Sequence, residues 1–143
     1  MHDHLVAKLG VRGGYDVFVS CYCETDDLVS QWRGYGGGGS GYSIGFPWRD
    51  ISRGGAALLI GVVYGDVAVI EAANRAVDVA MNRLSDAIRE PSGNENAVSD
   101  ILTSFSITLL ILAICAKKKV FEFEQECRLI YLTQRPKSAL RHC

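Results

Sequence analysis

Val17-Phe-Val-Ser-Cys-Tyr-Cys-Glu-Thr-Asp-Asp-Leu-Val-Ser-Gln-Trp-Arg-Gly-Tyr-Gly36, continuing after a glycine run to Gly41-Tyr-Ser-Ile-Gly-Phe46, is the stretch whose reading decides the fold. In Val17–Cys23 the side chains alternate, with Val17, Val19, Cys21 and Cys23 on one face and Phe18, Ser20 and Tyr22 on the other, which predicts a strand. Thr25 and Asp26 offer side-chain oxygens for a helix start. Leu28, Trp32 and Tyr35 then recur at spacings of four and three, as on one side of a short helix. Gly34 and Gly36 end that helix, and Tyr42–Phe46 reads as a second strand. The glycines at 34, 36 and 39 have the spacing of a dinucleotide fingerprint. They follow a helical turn instead of preceding a helix, so the fingerprint is rejected in favour of a flexible glycine-rich loop.

Outward from that stretch, Ala56–Tyr64 is a short apolar run read as a buried third strand. Asp66 begins a long helix in which Ile70, Ala73, Val77, Met81, Leu84 and Ile88 form the stripe expected to face the core. A second long helix is expected over Val98–Ala116, with a strand over Ile107–Cys115 as the alternative. Its apolar positions encircle it, so burial is expected. The run Phe105–Ala116 is shorter than the roughly 18 to 20 residues of a membrane span. Lys117, Lys118 and Lys119 suit the negative end of that helix. Phe121–Thr133 alternates again, with Glu122, Glu124, Glu126 and Arg128 opposite Phe121, Phe123, Cys127, Leu129 and Tyr131. These elements predict an α+β domain over residues 16–133, with a mixed or antiparallel sheet of four to five strands and two long helices packed on one face. Residues 1–15 are expected to be a flexible segment and 134–143 a loose tail.

The totals narrow the function classes. The 143 residues suffice for one core. Fifteen Lys and Arg against sixteen Asp and Glu give a net charge of −1, without the basic excess of a nucleic-acid binder. Five cysteines without metal-type pair spacing, and no apolar leader, predict reduced thiols in a soluble cytoplasmic protein away from membranes. The histidines, His2, His4 and His142, are all terminal, so no Ser-His-Asp set suggests hydrolysis.

The blocks Ser20-Cys-Tyr-Cys-Glu24, Ser30-Gln-Trp-Arg-Gly-Tyr35, Gly41-Tyr-Ser-Ile-Gly-Phe46 and Phe121-Glu-Phe-Glu-Gln-Glu-Cys-Arg-Leu-Ile130 stand in that order. Together they resemble the bacterial family called domain of unknown function 2971. Its members share a cysteine-bearing strand, a Trp-x-x-Tyr helix, a Gly-x-x-x-x-Phe strand and a late Glu-x-Glu-x-Arg strand. The resemblance spans about residues 17–132. It implies an upstream segment that residues 1–15 have lost or shortened, so a missing segment or a partner chain is expected beside this domain.

Glu124 and Glu126, two apart on a strand, would hold their carboxylates on one face roughly 7 Å apart. Such acids need cations when desolvated. The first reading is a structural network in which they pair with Arg33 and Arg128 and tie the late strand to the Trp32 helix. A second reading rests on a similarity to ADP-ribosyltransferases. It makes Glu126 the main catalytic group, Glu124 its partner, Ser20 a cofactor contact and NAD the cofactor, with negative charge set against an oxocarbenium-like transition state. A third reading is a binding module without chemistry, in which Trp32, Arg33 and Tyr35 receive a peptide or a nucleotide ring.

Overall fold

The computed structural model describes residues 15–38, 40–52, 57–89 and 95–134. The expectations for His2, His4 and His142, and the fifth cysteine, Cys143, lie outside these residues. Strand β1 (Tyr15–Cys23) leads into helix α1 (Val29–Tyr35), and a loop passes to the short helix α2 (Trp48–Ser52). Strands β2 (Ala57–Gly61) and β3 (Val63–Tyr64) precede the long helices α3 (Asp66–Arg89) and α4 (Glu95–Cys115). Strand β4 (Ala116–Lys117), a 3-10 helix (Lys119–Glu124) and strand β5 (Glu126–Gln134) complete the fold.

The class is α+β, with the five strands among the described residues divided between two sheets. The larger sheet has the order β1-β5-β2, and both pairings are antiparallel. Tyr15 pairs with Gln134 at one end and Cys23 with Glu126 at the other, so the expected terminal segments each give a residue to the sheet. β3 and β4 form a separate parallel pair, Val63 against Ala116 and Tyr64 against Lys117. Two expected strands are corrected. Tyr42–Phe46 has no regular structure, and Phe46 lies edge-on to Tyr22 with ring centroids 6.2 Å apart. At Gly36 and Gly41 the loop doubles back on itself, and a Cβ on Gly41 would come within 2.7 Å of the Gly36 Cα. Residues 119–124 coil instead of extending, and Gln125, at φ 42°, closes that turn before β5 begins.

The helix starts also differ from expectation. α1 begins after Leu28 without a side-chain cap. Thr25 is drawn away to the side chain of Gln125, and the indole Nε1 of Trp32 donates to Asp27 at 2.9 Å. α3 forms where its periodicity places it, but its face is turned. Ile70, Val77, Met81 and Ile88 are 58, 43, 56 and 71% exposed. The groove between the long helices is lined instead by Ala72, Ala76 and Ala80 of α3 against Ile101, Phe105 and Thr108 of α4. Small side chains let two helix axes approach closely, and α4 takes that side.

α4 is a helix throughout, so the strand alternative at Ile107–Cys115 is set aside. Its expected all-round burial is corrected too, since among its described side chains only Ser106 and Cys115 are buried. Ser106 and Thr108 satisfy their hydroxyls on the carbonyls of Leu102 and Ser104, which allows polar residues in so apolar a helix. Asn96–Cys115 is the one helix among the described residues long and apolar enough to cross a membrane, with mean hydropathy 2.1 and 11% of that span buried. Few apolar side chains are buried: among the described residues they are Ile130 and Cys127 of β5, on opposite faces of the sheet, and Cys115 at the end of α4.

Candidate functional site

The face of β5 that carries Glu126, Arg128 and Ile130 is turned toward the end of α4. Arg128 Nη1 donates to the carbonyl of Ile114 in the last turn of that helix, so the guanidinium caps an otherwise open acceptor. Its Nε donates to Glu126 Oε1 at 2.6 Å. The chain leaves α4 directly into β4, which swings the Lys117 ammonium across to Glu126 Oε2 at 2.6 Å and Glu124 Oε2 at 2.5 Å. The same ammonium lies 5.2 Å from the centroid of the Phe121 ring. The Tyr64 hydroxyl accepts from the backbone N–H of Glu126 at 2.8 Å and holds the start of β5 in place. Two carboxylates and two cations thus form a compact network with no net charge.

Glu126 is 6% exposed and has a cation on each oxygen. Burial would raise its pKa, but the hydrogen bonds from Arg128 and Lys117 dominate and hold the carboxyl at about 2. Burial likewise pulls Lys117 down, and the two glutamates more than reverse it, so the ammonium stays charged. Arg128 is raised by its bond to Glu126. The Cys21 thiol, opposite Arg128 in the β1–β5 register, is pushed up by partial burial and by the neighbouring Glu126 carboxylate. An acid so far below neutrality, with both oxygens engaged, stabilises packing and does not exchange protons at pH 7.

The Glu-x-Glu pair comes together by a different route from the one expected. Glu124 closes the 3-10 turn and Glu126 opens β5, so they do not alternate along one strand. Lys117 gathers them. The lysine run at 117–119 suits a helix end, yet the need of those acids for a cation is the signal in the sequence that points to Lys117. Arg33 takes no part in the network: it is exposed on α1 and makes no ion pair with a described residue. Ser20 opposes Leu129 in the ladder and sits on the opposite face of the sheet from Glu126.

Trp32 and Tyr35 belong to a second feature. A cleft of about 710 Å³ opens between the end of β1, helix α1 and the glycine loop. It is lined by the aromatic residues Tyr22, Trp32, Tyr35, Tyr42 and Phe46, and by Cys21, Cys23 and Cys127. Glu24 and Asp26 stand at its edge, and no Lys, Arg or His is among the described residues that line it. The volume falls within the range of small-molecule sites, about 300 to 1,000 Å³. Glu124 and Glu126 do not line the cleft, whereas Cys21 lines it and also faces Glu126, so the ion network backs the cleft without entering it. No group of three or more metal-ligating side chains occurs among the described residues.

The family model described as Protein of unknown function (DUF2971) matches residues 31–129, more than half of the chain. The chain belongs to the DUF2971 family. Neither the curated proteins nor the solved structures contain a match to it. The stretch shared with DUF2971 contains Trp32, Arg33, Tyr35, Lys117, Glu124, Glu126 and Arg128. Strand β1, with Ser20, Cys21 and Cys23, precedes it.

Proposed function

We propose that this DUF2971 chain is a cytoplasmic binding module without chemistry of its own. In this reading the aromatic cleft receives an organic group, such as a peptide side chain, and the Glu124–Lys117–Glu126–Arg128 network supports the strands behind it. The observation that carries the reading is the separation of the two features. The cleft has stacking surfaces but no engaged acid–base pair, and Glu126 has both oxygens committed to cations. A glutamate that must bind a ribose hydroxyl beside a developing positive charge needs a free oxygen facing the substrate, so glycosyl transfer from NAD draws no support from this geometry. A peptide is favoured over a nucleotide because the described lining offers no cation for a phosphate. The free thiols among the described residues, Cys21, Cys23, Cys115 and Cys127, support the cytoplasmic setting.

Trp32 emission, read in a Trp48→Phe background, tests the proposal. A tyrosine-containing peptide is expected to change that emission saturably, and Trp32→Ala is expected to fold normally and lose capture of the same peptide. Incubation with labelled NAD is expected to leave the dinucleotide intact. Nicotinamide release that disappears in a folded Glu126→Gln protein would refute the reading in favour of an enzyme.

A further inference from the structure

We infer that the cleft selects a methylated ammonium group, as in a trimethyl-lysine side chain or choline. This rests on the binding-module reading and goes beyond it by specifying the charge and shape of the occupant. Three features of the walls carry the inference. Trp32, Tyr35, Tyr42 and Phe46 line one open space of about 710 Å³, and Tyr35 and Tyr42, 85 and 90% exposed, leave their rings accessible to a ligand. The electron-rich face of an aromatic ring attracts a cation, and the attraction grows as water is displaced. The charged side chains at the cleft are Glu24 and Asp26, both acidic and exposed, and neither forms an ion pair with a described residue. Their field adds to that of the rings and repels anions.

The Lys117, Arg128 and Glu126 charges cancel behind the cleft together with Glu124, so the network does not offset that field. A primary ammonium would have to surrender strong hydration to rest against those rings. Methylation spreads the charge over apolar methyl groups that rest against ring faces, which makes the methylated form the better fit. The Trp32 indole is held ready by its 2.9 Å hydrogen bond to Asp27, which fixes one wall before a ligand arrives.

The test compares choline with its neutral isostere 3,3-dimethylbutan-1-ol, in which carbon replaces the charged nitrogen. Both are titrated against Trp32 emission in the Trp48→Phe protein. Choline is expected to bind at least about tenfold more tightly, and the advantage should shrink as salt is raised. Glu24→Gln with Asp26→Asn should remove most of the advantage while far-UV circular dichroism is unchanged. A trimethyl-lysine peptide distinguishes the sources: binding about tenfold tighter than choline marks a protein tail as the natural ligand, and equal binding marks a small molecule. Both results support the inference. Equal affinity for choline and the isostere overturns the charge selection and leaves the aromatic cleft as a binding site. If choline, the isostere and the tyrosine peptide all leave Trp32 emission unchanged, the cleft reading falls as well.

Discussion

Replacing Glu126 by glutamine removes one of the two negative charges that balance Lys117 and Arg128 in a nearly closed space. The size of the effect follows from the carboxyl itself, which moves from an ordinary value of 4.5 to about 2 in the folded chain. At about 1.4 kcal/mol per unit, the ionised form supports folding by about 3 kcal/mol at pH 7. Breaking a buried ion pair from one side costs about 3 to 5 kcal/mol, because the remaining charge stays desolvated. The two routes agree. The folded-state value is depressed, so the contribution is fully present above pH 5 and declines as the pH falls toward 2. Between pH 7 and pH 3 about 2 kcal/mol of it should disappear, because the unfolded chain takes up the proton first. Urea unfolding at a series of pH values, followed by far-UV circular dichroism, measures this directly. The wild-type protein should lose its advantage over Glu126→Gln as the pH falls, since only the wild type carries the depressed carboxyl. Lys117→Met should destabilise comparably, and the double variant should be less destabilised than the two effects added together. A Glu126→Gln protein within about 0.5 kcal/mol of wild type at pH 7, with a parallel pH curve, would sink the network.

Three further outcomes test other parts of the structure. Met81→Ser should change stability by less than about 0.5 kcal/mol if that stripe of α3 faces water, against the 2 to 5 kcal/mol typical of a buried methionine truncation; chemical denaturation separates the two. Ser30 Oγ is buried and finds no partner among the described residues, so Ser30→Ala should raise the melting temperature, with a gain of up to about 1 kcal/mol. Gly41→Ala should destabilise the loop by about 1 to 3 kcal/mol, because the added methyl would collide with the Gly36 backbone. Faster proteolysis within residues 36–46 is the expected sign, and an unchanged digestion pattern would count against the close approach.

Much of the secondary structure was legible from local chemistry. The alternation in Val17–Cys23, the three-and-four spacing from Ile70 to Ile88 and the apolar run after Val98 each record a backbone period, and each became the element it implied. The misreadings have a common origin. Tyr42–Phe46 has strand composition but pairs with no neighbour. Residues 121–124 alternate like a strand, yet the left-handed backbone at Gln125 ends the 3-10 turn there and re-aims the chain. Strand pairing depends on what lies alongside, which a single segment does not encode.

The candidate site divides along the same line. Local sequence already placed Trp32 near Tyr35 on one short helix and demanded a cation for Glu124 and Glu126. Only the tertiary structure chose Lys117 over Arg33 as that cation, because the chain turns from α4 into β4 and brings the ammonium across. It also decided which side of α3 meets α4, since both the alanine side and the larger apolar stripe satisfy a helical period. Period and charge balance are properties of a segment, whereas the identity of a partner depends on residues distant in sequence that packing makes neighbours.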